Sequence, residues 1–239
     1  SICPNIERAI LVDLNDSILN QAQLVIKKNL DRQIKKEIIS KNDAKRAYDK
    51  ILFTSDIKDI SLSDLVIEAV KEDLNVKKTV FSNIDKLTSS NCILATNTSS
   101  ISISAIAKST KKPQNVIGMH FMNPVPIMKL VEIIKGKETD NLIVKRTLEY
   151  ISFINKIPIE CNDSPGFVSN RILMPMINEA AFTLMEGVAE VEAIDGIMKL
   201  GMGHPMGPLK LADLIGIDVC VSIMKVLFDG FDNPKYKVC

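Results

Sequence analysis

The chain has 239 residues, 46% hydrophobic and 25% charged, the balance of an ordinary globular protein with core material for one large domain or two smaller ones. Its 30 Lys and Arg against 29 Asp and Glu leave a formal net charge of +1, so no global field argues for nucleic acid or a membrane surface. The longest apolar runs are strand-sized, far below the ~20 residues a spanning helix needs, and no signal peptide is visible.

Residues 9–13 form a short apolar run ending in Asp13, which reads as a buried parallel strand. Asn15 or Asp16 then caps a lysine-studded helix to about Ile38, and Ser40 caps a shorter one through about Lys50. Strands are expected at 51–55 and 64–70, a helix at 74–87, and a buried strand at 92–96 that runs into the polar turn 97–100. A helical piece at 103–108 precedes a strand at 115–121. Residues 129–134 read as a strand, 140–154 as a helix and 157–160 as a last strand. This alternation predicts a Rossmann-like, doubly wound, mostly parallel sheet, with a binding crevice at the carboxyl ends of its strands.

Beyond Asp163-Ser-Pro-Gly166 the β pattern stops. Helices are expected at about 168–185, 191–200 and 208–228, broken by the Gly- and Pro-rich stretch 201–208. The predicted organisation is therefore an α/β domain over 1–163 and an all-helical domain over 164–239.

Five cysteines, at 3, 92, 161, 220 and 239, are scattered without a CxxC pair, which suggests reduced buried thiols and a cytosolic compartment. There are two histidines, far apart, and no metal site is expected. His120 closes the 115–121 run, and Glu132 falls on the next strand, where the two can meet across a turn. A carboxylate beside an imidazole fixes its tautomer and increases its basicity. The pair reads either as a proton-transfer site or as a hydrogen-bonded strand end.

Other polar residues divide similarly. Asp13 suits the acid that accepts from an adenosine ribose, or a turn cap. Asn97, Thr98 and Ser99 offer groups that orient a substrate, or simply a local turn. Asn170, followed by Arg171, lies just past the Pro165-Gly166 break, a place for a side chain that projects back into an interdomain cleft or that serves the helix start. Lys27, Lys28, Lys35 and Lys36 make a solvated helix face or a site for a phosphorylated tail. His204, in a Gly/Pro-rich turn, reads as structural.

Together the segments 97–100, 118–132, 165–171 and 205–208 resemble the L-3-hydroxyacyl-CoA dehydrogenase family, nearest its bacterial 3-hydroxybutyryl-CoA branch, in the right order along essentially the whole chain. The resemblance implies an NAD-dependent enzyme that interconverts (S)-3-hydroxyacyl-CoA and 3-oxoacyl-CoA. It implies that His120 is the acid/base at the 3-hydroxyl, held by Glu132, and that Ser99 contacts the reacting hydroxyl near the nicotinamide. Asn170 is expected to bind the reacting part of the substrate and stabilise its developing charge.

On the same resemblance, Asp13, Glu72, Lys77, Ser99 and Asn123 contact NAD, with Asp13 disfavouring a 2′-phosphate. Lys36 binds the CoA portion, and Asn29 stands where the family has a serine. A cytoplasmic homodimer acting on acyl-CoA, without nucleic acid or membrane partners, is expected. So is a chain that lacks the family's glycine-rich loop and final helix, and is inactive by itself. The rival readings are a non-catalytic relative that keeps only the fold, and one module of a larger fatty-acid oxidation protein.

Overall fold

The computed structural model describes residues 6–239; Cys3 lies outside them. The described chain forms two compact units, residues 6–97 with 103–160, and residues 98–102 with 161–239. The sequence pattern divides the chain at Ser164. The structure divides it between Glu160 and Cys161, and groups 98–102 with the helical unit.

In the first unit, β1 (Ala9–Val12) and β2 (Ile51–Thr54) pair in parallel as a two-stranded sheet. Between them run α1 (Asp16–Lys35), capped where the Asn15 side chain accepts from the Ile18 amide, and α2 (Lys41–Asp49), capped likewise by Ser40 on Asp43. These caps satisfy amides that a helix start leaves without intrahelical partners.

A five-stranded sheet follows in simple sequence order: β3 (Leu65–Glu68), β4 (Ile93–Thr96), β5 (Val116–Phe121), β6 (Leu130–Lys135) and β7 (Ile157–Asn162). The helices α3 (Leu74–Leu87), α4 (Ile103–Ala107) and α5 (Asn141–Phe153) connect its strands. The pairings β3–β4 and β4–β5 are parallel, whereas β5–β6 is antiparallel. The short connection over 122–129 explains the reversal, because a parallel return needs a crossover of a dozen or more residues.

Alternation along β5 and β6 separates two tasks. Ile117, Met119, Val131 and Ile133 face one way and pack with Ile143, Val144 and Ile151 of α5 in a continuous core. Gly118, His120, Glu132 and Ile134 therefore share the other face.

The second unit packs α6 (Ser169–Met185), α7 (Val191–Gly201), α8 (Pro208–Ile215) and α9 (Ile217–Phe231) around Met174, Ile177, Met224 and Leu227. The single helix expected over 208–228 is two helices. Gly216 takes a φ of 101°, which a side-chain-bearing residue rarely adopts, so the chain turns there although its apolar period continues. Asp195 of α7 starts α8 from outside, its two carboxylate oxygens accepting from the Leu209 and Lys210 amides at 2.9 and 3.0 Å.

Candidate active site

His120 and Glu132 are Cα partners in the β5–β6 ladder, and their side chains meet at 2.8 Å between Nδ1 and Oε2. Both residues are buried, at 7% and 4% exposure, so water competes little for this contact. In the neutral ring, a carboxylate acceptor at Nδ1 places the proton on that nitrogen and makes Nε2 the basic one. The strand end is pinned as well, for the Asn97 side-chain oxygen accepts from the Phe121 amide at 3.0 Å.

Ser99 and Asn170 meet within the second unit. The Asn170 side-chain amide donates to the Ser99 carbonyl oxygen at 2.9 Å, with Asn170 buried in the first turn of α6. The segment around Ser99 is shaped by Thr98, whose hydroxyl accepts from the Ser100 and Ile101 amides.

At the carboxyl end of β1, the half-buried Asp13 takes the neighbouring Leu14 amide on Oδ1 at 2.7 Å. At the end of β3 stands a group that the sequence reading passed over. Glu68 is buried, and its Oε1 lies 2.8 Å from the Lys77 ammonium and accepts from the Val70 amide at 2.6 Å. Its Oε2 accepts from the Thr96 hydroxyl at 2.7 Å. Lys77 also lies 3.3 Å from a carboxylate oxygen of Glu72, whose side chain is 40% exposed. The resemblance implies a Lys77 that meets the cofactor directly. Its side chain is enclosed at 1% exposure, with three oxygens around the ammonium, and Glu72 is the member of the group that reaches the surface. One clue was available: Glu68 is an acid that ends an apolar strand, nine residues before a lysine.

Asn123 is exposed just past β5. The loop that follows it is tied down by Lys156, whose ammonium donates to the Val125 and Met128 carbonyls at 2.6 and 2.7 Å. Desolvation lowers the pKa of that lysine. Asn29 and Lys36 lie two turns apart along α1, Asn29 half-buried and Lys36 exposed at the helix end. Lys27 is engaged elsewhere, 5.0 Å from the centre of the Tyr48 ring. The backbone amide of His204 donates to the Met198 carbonyl oxygen at 3.1 Å.

Among the described cysteines Cys92 and Cys220 are buried, and burial pushes both thiols up. Cys161 is half-buried and Cys239 exposed, so the expectation of uniformly buried thiols is corrected for these two. Among the described residues, no group of three or more His, Cys, Asp or Glu side chains is arranged to hold a metal ion, and no helix is long and apolar enough to cross a membrane.

Residues 7–164 match the family profile described as 3-hydroxyacyl-CoA dehydrogenase, NAD binding domain, and residues 166–239 match the C-terminal domain of the same enzymes. A probable 3-hydroxybutyryl-CoA dehydrogenase of Deinococcus radiodurans is 48% identical over 225 residues, covering 94% of this chain and 81% of that protein. The 3-hydroxybutyryl-CoA dehydrogenase of Clostridioides difficile is 48% identical over 218 residues, covering 91% and 78%. The crystal structure of the (S)-3-hydroxybutyryl-CoA dehydrogenase of Ralstonia eutropha superposes with a TM-score of 0.95 at 42% identity, covering 97% of this chain and 82% of that one. This chain belongs to the 3-hydroxyacyl-CoA dehydrogenase family, NAD-dependent oxidoreductases built from a Rossmann domain and a helical C-terminal domain.

The strand ends fit such a cofactor. Asp13 and Glu72 are carboxylates at or just beyond the carboxyl ends of parallel strands, where an α/β sheet presents acceptors to ribose hydroxyls.

Proposed function

We propose that this protein oxidises short-chain (S)-3-hydroxyacyl-CoA, above all 3-hydroxybutyryl-CoA, to 3-oxoacyl-CoA with NAD, and catalyses the reverse reduction. The single observation that carries this reading is the buried 2.8 Å contact between His120 and Glu132, a base oriented by a carboxylate. NAD, when bound, supplies the acceptor for the hydride leaving C3.

His120 receives the proton of the 3-hydroxyl at Nε2 as the C3–O bond becomes a carbonyl, and returns it in the reduction. Glu132 keeps the ring in the required tautomer and faces the positive charge the ring gains. The Ser99 hydroxyl holds the reacting oxygen. Asn170, set by its hydrogen bond to the Ser99 carbonyl, stabilises charge developing along the thioester side. Asp13, Glu72 and Asn123 hold the cofactor, Lys77 acts with them, and Asn29 and Lys36 hold the CoA portion. The acid at Asp13 favours NAD over NADP, since a 2′-phosphate there meets a like charge.

We read residues 1–163 as the NAD-binding domain and 164–239 as the substrate and dimerisation domain. A homodimer is supported by the exposed Ile197, Leu200, Leu214, Ile217 and Phe228 of the helical unit. A cytoplasmic location is supported by the buried thiols Cys92 and Cys220.

The test is to follow NADH consumption by the full-length protein with acetoacetyl-CoA and with longer 3-oxoacyl-CoA homologues. Turnover that is fastest with the four-carbon substrate and much slower with NADPH is expected. Absence of NADH consumption with every homologue overturns the reading.

A further inference from the structure

Glu68 is the last residue of β3, and its carboxylate is shared by three donors from three elements. The Val70 amide belongs to the turn after β3, the Thr96 hydroxyl to the end of β4, and the Lys77 ammonium to α3. Both members of the ion pair have side chains at 1% exposure. A buried pair of this kind is a poor source of stability, because desolvating two ions offsets most of their attraction. Its value lies in geometry. An ammonium anchored at 2.8 Å by Glu68 stands 3.3 Å from Glu72, whose side chain is 40% exposed just beyond the carboxyl end of β3.

We infer that Glu68 is a positioning residue for cofactor binding: through Lys77 it fixes where the Glu72 carboxylate points, and through Thr96 it fixes the neighbouring strand end. This rests on the reading that NAD binds at the carboxyl ends of these strands. Glu68 does not touch the ligand; it removes the freedom of Glu72 to turn away from it. Losing an orienting contact of this kind costs about tenfold to a hundredfold when the ligand-facing group shifts by an ångström or so.

The experiment compares wild type, Glu68→Gln, Lys77→Met, the double variant Glu68→Gln/Lys77→Met, and Glu72→Gln. Each is measured for NADH dissociation constant, KM for NADH, KM for acetoacetyl-CoA, kcat and Tm. Lys77→Met leaves a buried carboxylate without its cation, so Tm falls; the double variant removes both charges, so Tm recovers. If Glu68 positions the cofactor site, KM and the dissociation constant for NADH rise about tenfold or more in all four variants, while KM for acetoacetyl-CoA stays near wild type. The double variant regains Tm but not NADH affinity.

A double variant that recovers NADH affinity together with Tm overturns the inference, for the pair then acts only on the fold. Glu72→Gln alters a side chain 40% exposed, so it carries the test even where the buried variants do not accumulate. An unchanged NADH constant in Glu72→Gln likewise overturns it. A full-length wild type that neither binds nor oxidises NADH sinks the functional reading, and this inference with it.

Discussion

Asn97 and Phe121 join the ends of β4 and β5: the Asn97 side-chain oxygen accepts from the Phe121 amide at 3.0 Å, one residue beyond His120. The Asn97 backbone amide is itself held by the Glu68 carbonyl at 2.8 Å, so the ends of three adjacent strands are tied in series. The position of the imidazole thus depends on the Asn97 side chain, which the proposed proton transfer does not use. Asn97→Leu should lower kcat about tenfold through misplacement of His120, while lowering stability by about 1 kcal/mol for the lost hydrogen bond. Steady-state kinetics and denaturant titration on one preparation check both.

Gly118, two residues before His120 on the same face, is a matter of space. A Cβ there falls 2.8 Å from the Ile134 Cβ and 2.8 Å from the Ile103 Cδ1. Gly118→Ala should destabilise the protein by about 1–3 kcal/mol, because the Ile134 branch point cannot retreat. Ile103→Val in that background removes only the Cδ1 contact and should restore part of the loss, read from the shift in denaturation midpoint.

Acid sensitivity follows from Asp73, the N-cap of α3. The Val76 and Asn75 amides that its carboxylate accepts at 3.0 and 2.9 Å hold its pKa below the usual aspartate value, with the Val76 bond the larger cause. A depressed folded pKa contributes stability that is present above the unfolded aspartate pKa and is lost as pH falls through the folded one. Asp73→Asn keeps a capping acceptor without the titration. Its Tm should lie below wild type at neutral pH, and the gap should close as pH drops through and below the ordinary aspartate range. Thermal melts across that range measure it.

Asp195 supplies in trans the cap that α8 lacks in its own sequence, where Gly207 and Pro208 offer no side-chain acceptor. Asp195→Ala should cost about 0.5–2 kcal/mol, as for other lost N-caps. Hydrogen exchange should show the first amides of α8 opening before those of α6.

The periodic elements were legible in the sequence because their signals are local. The pattern over 74–87 predicts α3 with the bounds it has. The His120–Glu132 contact was legible for the same reason: a short connection brings two consecutive strands together, and each residue sits near the turn. What escaped depends on partners a linear pattern does not name. The division of α8 from α9 turns on the backbone angle of Gly216, within a run whose apolar spacing never changes. The Glu68 cluster joins a strand end to a helix and to the next strand, 28 residues away at Thr96. The grouping of 98–102 with the helical unit follows from contacts made long after that turn in the chain, such as the Asn170 bond to Ser99.

Whether His120 moves the substrate proton is read from His120→Gln. Glutamine keeps a polar side chain beside Glu132 but cannot act as a base. If His120 is the base, kcat falls about 10²- to 10⁴-fold while the NADH dissociation constant stays at its wild-type value. A His120→Gln enzyme with wild-type kcat would contradict it.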